Sequence, residues 1–158
     1  SAWVAYYFVK PSGGNSYGEL LPTRPLTQVT VPGETTPESP KAKWRLVLTL
    51  PDVCDKPCEE LLYSTRQART MLGRDKDRVQ RIVVANSKPT TELTNAHPDV
   101  IVLPNPPAQM PADWRAQLDR GVLLIDPLGN QVMLWPRNPD IKKLNTDLAR
   151  LLRASRIG

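Results

Sequence analysis

Leu46-Val-Leu-Thr-Leu-Pro-Asp-Val-Cys54-Asp-Lys-Pro-Cys58-Glu-Glu-Leu-Leu62 decides how the rest of the chain is read. Leu46–Leu50 is an apolar run with a single threonine, as expected of a strand covered on both faces at the centre of a sheet. A C-x-x-x-C loop follows, then a helical pattern: Leu61/Leu62, Thr65, Ala68 and Met71/Leu72 recur at spacings of three and four. Pro57 suits the first helical position, Glu59 and Glu60 suit the positive end of the helix dipole, and Gly73 is a stop. Both cysteines of the chain therefore sit at one strand–loop–helix junction.

Working downstream, Arg81-Ile-Val-Val-Ala85 is the next strand, and a short helix is expected around Thr90–Asn95. Val100–Leu103 is a short strand, residues 104–111 are a proline-rich loop, and Asp113–Leu118 makes one or two helical turns. Gly121–Asp126 and Gln131–Trp135 flank the tight-turn sequence Asp126-Pro-Leu-Gly-Asn130, which predicts a β-hairpin. Asn138 is expected to cap and Pro139 to open a last helix, with Ile141, Leu144, Leu148 and Leu151/Leu152 on one face. Strands alternating with helices, with a late hairpin, predict an α/β fold: a mixed central sheet with helices on both faces, in a three-layer α/β/α sandwich of the thioredoxin-like plan.

Upstream, residues 1–43 read as an extended N-terminal tether and 44–158 as the folded domain. Ala2-Trp-Val-Ala-Tyr-Tyr-Phe-Val9 is too short to cross a bilayer, which takes about 20 apolar residues. Aromatics followed by Lys10 fit the trailing edge of a spanning helix, and they also fit a first strand. The anchor reading expects an upstream segment that holds the protein in a bacterial inner membrane, single-pass, with the domain facing the periplasm. Leu26–Val31 alternates and could serve as an edge strand closed by Pro32-Gly33.

A chain of 158 residues is one domain with room for a core. Its seventeen prolines cluster in 11–51 and 98–111, which marks these as irregular connections. The net charge of +5 owes much to residues 137–158, with six Lys/Arg against two Asp. No aromatics interleave those charges, so they read as a solvated helix face and nucleic acid is not an expected partner. No phosphate loop, serine–histidine arrangement or dinucleotide fingerprint is present.

A bridge closing so small a ring removes little chain entropy, so the cysteines point to redox or metal chemistry more than to stability. As a redox pair, Cys54 on the loop is the exposed attacking thiol and Cys58 in the first turn the resolving one, with exchange through a mixed disulfide on Cys54. The helix dipole and Lys56 favour the thiolate; Asp52 and Asp55 oppose it. As metal ligands, Cys54 and Cys58 suit Cu(I), with His97, the only histidine, as a third ligand if its loop folds over them. Zinc would want more ligands than these. A third reading leaves both cysteines structurally inert.

The buried strand, the cysteine pair Asp52-Val-Cys54-x-x-x-Cys58, Val79–Val84, the hairpin Val122-Leu-Leu-Ile-Asp-Pro-Leu-Gly129 and the final helix resemble the Sco/SenC proteins. These are membrane-anchored thioredoxin-fold proteins that assemble the dinuclear copper centre of cytochrome c oxidase. The resemblance implies a thiol–disulfide oxidoreductase or a Cu(I) carrier, with an oxidase subunit or a copper chaperone as protein partner. Two departures stand out. The family's loop usually reads Cys-Pro-acidic-aliphatic-Cys-Pro, where this one reads Cys54-Asp-Lys-Pro-Cys58 followed by Glu59. The family's third copper ligand is a histidine shortly before the hairpin strand, and counting back from Pro127 places it near Asp119, where no histidine stands. That departure favours thiol chemistry in oxidase assembly over a Cu(I) chaperone, with a redox-inactive docking module as a further alternative.

Overall fold

The computed structural model of the chain describes residues 16–24, 43–103, 112–155 and 158. In chain order these form β1 (Glu19–Leu20), β2 (Trp44–Leu50), α1 (Lys56–Thr70), a 3-10 turn (Gly73–Arg78), β3 (Val79–Ala85), α2 (Thr91–Ala96), β4 (Ile101–Leu103), α3 (Ala112–Arg120), β5 (Gly121–Ile125), β6 (Gln131–Pro136) and α4 (Ile141–Ala154). The six strands make one sheet in the order β1-β6-β5-β2-β3-β4. β2, β3 and β4 run parallel, while β5 is antiparallel to β2 and β6 is antiparallel to β5 and β1. This is the mixed sheet the element order predicts.

β2 is buried along its whole length, which is why its sequence shows no polar alternation. Side chains of a strand alternate between faces, and the two faces carry separate cores. On one, Trp44, Leu46 and Leu48 of β2 meet Leu61, Leu62 and Ala68 of α1 and Leu144, Leu148 and Leu151 of α4. On the other, Val47, Ile82, Val84, Leu123 and Ile125 are covered by Leu118 of α3 and by Leu21. Each fully buried aliphatic side chain contributes about 1.5–3 kcal/mol, so both helical layers are held mainly by apolar burial. The result is the three-layer thioredoxin-like sandwich.

Part of the N-terminal segment lies against this sheet. β1 pairs with β6, Leu21 N–H donates to Val132 O at 2.9 Å, and Gly18 N–H donates to the buried Asp147 carboxylate at 2.8 Å. Asp147 also accepts from Trp135 Nε1 at 2.9 Å, tying α4 to β6 and to the entering chain. Gly18 is required there, since a Cβ would meet Met133 and Trp135 side-chain atoms at 2.6 Å.

The hairpin forms where expected: Asp126 Oδ1 accepts from Leu128 N–H and Asn130 N–H, each at 2.9 Å, and Gly129 takes a φ of 89°. Two helix ends differ from the sequence reading. α1 begins one residue before Pro57, capped by Asp55. α4 begins at Ile141, because Asp140, not Asn138, caps it: its carboxylate accepts Lys143 N–H at 2.9 Å, while its own N–H is taken by the Tyr17 hydroxyl at 3.0 Å.

The expectation of a single-pass inner-membrane anchor with a periplasmic domain is corrected. Among the described residues no helix is long and apolar enough to cross a membrane. The longest of these, α1, has 15 residues and carries five charged side chains, against the roughly 20 apolar residues a span requires. The Ala2–Val9 segment, the Leu26–Val31 strand and the 104–111 loop lie outside the described residues.

Candidate functional site

β2 ends at Leu50, the chain turns out through Pro51–Val53, and Asp55 starts α1. Asp55 Oδ1 accepts the Cys58 N–H at 3.1 Å, satisfying one of the free amides of the first turn and setting a carboxylate against the positive end of the helix. Cys54 and Cys58 are joined by a disulfide with their Cα atoms 5.2 Å apart. Cys58 is 2% exposed and packs in the core, whereas Cys54 is half-buried and Val53 beside it is 81% exposed. Of the two bridged cysteines, Cys54 is the more exposed.

A cleft of about 460 Å³ opens on the Cys54 side, and His97 shares its wall. His97 is held by Arg81, which is fully buried in the middle of β3. All five N–H donors of Arg81 are used: Nε and Nη2 fork onto Asp99 at 2.8 and 2.7 Å, Nη1 donates to Leu62 O at 2.9 Å and Thr65 Oγ1 at 3.0 Å, and Nη2 donates to His97 Nδ1 at 3.1 Å. One side chain thus ties β3 to α1 and to the segment after α2. Because an arginine only donates, His97 Nδ1 must accept, and the ring proton sits on Nε2.

Burial first, then the charges of Arg81 and Arg66, hold the His97 pKa below its ordinary value, with Asp99 opposing. For Asp99, burial by itself would raise the carboxyl; the Arg81 hydrogen bonds and charge, with Arg69 behind, outweigh it and leave the pKa lowered. His97 is therefore neutral and Asp99 ionised.

On the Cys58 side a second cleft, of about 390 Å³, is lined by Thr49, Asp55, Asn86, Arg115, Asp119 and Arg137, among others. Arg137 is fixed by donating to Thr49 Oγ1 at 2.9 Å and Thr49 O at 2.6 Å, and the Thr49 hydroxyl donates to Leu118 O at 3.2 Å. These bonds lock the end of β2 to α3 and to the chain after β6. Asp119 lines the same cleft as Cys58.

Of the three sequence-named residues, the structure brings Cys54 and His97 to one cleft and leaves Cys58 facing the other. As a metal ligand His97 is poorly disposed: Nδ1 is occupied and Nε2 carries the proton, so no nitrogen lone pair is free. No group of three or more His, Cys, Asp or Glu side chains able to hold a metal occurs among the described residues. Arg81 and its ties to Asp99 and His97 escaped the sequence reading. The signal was an arginine inside an apolar strand, masked because β3 was read as beginning at Arg81 when it begins at Val79.

A family described as transmembrane-like, thioredoxin-like, C-terminal domain matches residues 44–155. Among solved structures, ScoI of Arabidopsis thaliana with copper bound is similar at 17% identity, over 73% of this chain and 87% of that one, with a TM-score of 0.58. ScoI of Bradyrhizobium japonicum with copper bound is similar at 18% identity, over 70% and 86%, with a TM-score of 0.55. Apo Sco1 of Thermus thermophilus is similar at 18% identity, over 89% and 98%, with a TM-score of 0.56. At these identities the likeness is one of fold, and the structural relatives are the proteins the sequence resembles. No curated protein matches the chain.

Proposed function

Since the chain belongs to the transmembrane-like, thioredoxin-like C-terminal domain family, we propose that it is a thiol–disulfide exchange protein working through Cys54 and Cys58. The observation that carries this reading is the asymmetry of the bridge: one half-buried sulfur on a loop, one buried sulfur in the first helical turn. In the reduced protein the Cys54 thiolate attacks one sulfur of a partner disulfide, forming a mixed disulfide and releasing the partner's other thiolate. Cys58 then attacks the Cys54 sulfur, the mixed disulfide breaks, and the partner leaves as a dithiol. Two electrons pass to the partner, and the protein is left with the bridge seen here. Repeated turnover requires an external dithiol as reductant.

By its likeness to Sco proteins, the partner is a protein of copper-centre assembly, such as a cytochrome oxidase subunit whose cysteines must be reduced before they take copper. Cysteine-to-serine trapping tests the reading. Cys58→Ser should accumulate a mixed disulfide with a disulfide-bonded partner segment, because the resolving thiol is gone, while Cys54→Ser should accumulate none. Trapping on neither variant, together with a bridge that resists reduction, would leave only a docking module.

A second reading takes Cu(I) as cargo. It is supported by the copper-bound Sco relatives and by the suitability of two thiolates for a soft ion. The bridge must first be reduced, and a third ligand would come from outside the chain or from His97 after it leaves Arg81. Anaerobic competition of the reduced protein with a chromophoric Cu(I) chelator separates the two: tight uptake of one copper per chain favours cargo, and uptake no better than that of a simple dithiol favours exchange.

A further inference from the structure

The two clefts beside the disulfide differ in charge. The Cys58 side holds Arg115 and Arg137 against Asp55 and Asp119, so it compensates itself. Among the described residues, the Cys54 side is lined by Asp52, Glu59 and Glu92 and by no lysine or arginine. That is an acidic surface at the reactive sulfur of a chain whose net charge is +5. Among the described residues, Glu59 and Glu92 are exposed and make no ion pair, and Asp52 accepts from Ser87 Oγ at 3.3 Å. Arg81 and Arg66 are the cations whose charge reaches His97 here; Arg81 is buried and forked onto Asp99, and Arg66 is engaged with Ala96 O at 3.1 Å and the Tyr63 ring at 5.6 Å.

Two further features belong to a groove that receives a peptide. Leu62, Leu93 and Ala96 supply apolar wall, continued outward by the exposed Val53. His97, only 8% exposed, lines the same cleft; its Nδ1 is occupied by Arg81, and its Nε2–H has no partner among the described residues. A buried donor that lines the cleft, with its second nitrogen already satisfied, is suited to a backbone carbonyl of a bound segment. Resting on the exchange reading above, we infer that the Cys54 cleft is the docking groove for a cysteine-bearing protein segment with a lysine or arginine next to its cysteine. Apolar wall, rim carboxylates and the His97 donor would hold such a segment with its sulfur at Cys54, and a segment acidic at that position would be repelled.

The test uses the full reduced chain and short peptides whose cysteine is carried as a mixed disulfide with a chromophoric thiol. Three peptides differ only in Lys, Ala or Glu beside the cysteine. Attack by Cys54 releases the chromophoric thiolate and Cys58 then frees the peptide thiol, so the released colour reports the rate. At low ionic strength the Lys peptide should react about tenfold faster than the Glu peptide, the lower end of electrostatic steering, with Ala between. The ratio should shrink in high salt and approach unity in the Glu59→Gln/Glu92→Gln variant. Equal rates for the three peptides, or a faster Glu peptide, would overturn the groove while leaving exchange intact. If no peptide exchanges, it is the exchange reading that fails. The groove is then judged by the affinity of serine-for-cysteine peptides for the oxidised protein: a salt-sensitive preference for Lys upholds it, and its absence overturns it.

Discussion

The two flanks of one disulfide are built by opposite means. On the Cys54 flank a single buried arginine gathers α1, β3 and the segment after α2, and the surface above it is acidic. On the Cys58 flank the fixed element is the Thr49–Arg137 contact at the end of β2, and the charges of the cleft cancel. The difference teaches that the bridge sits at the meeting of two separately stabilised walls. The first wall is organised by a desolvated charge network, the second by hydrogen bonds to the last turnout of a central strand. Changes on one side should therefore leave the other largely in place.

The largest way to break this contrast is Arg81→Met. It leaves Asp99 without its forked partner and strips hydrogen bonds from Leu62 O, Thr65 and His97, and breaking a buried pair from one side costs about 3–5 kcal/mol. Urea unfolding should show that loss, and Arg81→Lys should recover only part of it, since an ammonium cannot fork onto a carboxylate. A loss below about 1 kcal/mol would mean that apolar packing alone holds this wall.

The next prediction separates the flanks by metal chemistry. Asp119→His puts an imidazole in the Cys58-side cleft, where the Sco resemblance expects the third copper ligand. Cu(I) affinity of the reduced protein should rise about tenfold or more, equivalent to about 1.4 kcal/mol. His97→Ala, on the other flank, should leave it unchanged within about twofold, because His97 is engaged with Arg81. The reverse pattern would make the Cys54 flank the metal side and return His97 to the ligand set.

The smallest effect is a pH dependence confined to the Cys54 flank. His97 is held below its ordinary pKa of 6.5 when folded, so the unfolded chain binds the proton more readily. Its contribution to stability is complete above pH 6.5 and is lost as the pH falls through the folded value. Asp99 acts in the same direction lower down, its contribution being present above its ordinary 3.8 and lost as the pH drops through its lowered value. Thermal midpoints measured from pH 7.5 to 5 should fall more steeply for the wild-type chain than for His97→Gln. Parallel slopes would show that His97 takes up its proton equally well in the folded and the unfolded chain, and that Arg81 does not hold its Nδ1.

Much of the scaffold was legible. The strand into Leu50, the helix behind Cys58, the Asp126–Asn130 turn and the closing amphipathic helix all rest on patterns a few residues long. Helix starts were less so: Asp140, not Asn138, caps the last helix, and its N–H is met by the Tyr17 hydroxyl, far away in the chain. At the site, Asp119 stood out only as the position where the resemblance expects a histidine; that it lines the Cys58-side cleft with Arg115 and Arg137 came from the structure. Arg81 was passed over because its meaning depends on Asp99, eighteen residues on.

What the sequence by itself determined is what local physics dictates: hydrophobic period, caps, turn residues and the placing of both cysteines at a strand–helix junction. These are interactions between residues up to about four positions apart, and the chain carries them wherever it goes. Only the tertiary structure decided which side of the disulfide His97 and Asp119 face, and that Arg81 lies inside the protein with every donor met. That outcome hangs on β-sheet register, where a shift of one residue turns a side chain to the opposite face. No short-range pattern encodes it, and so the partners of a buried charge are known only once the strands are laid side by side.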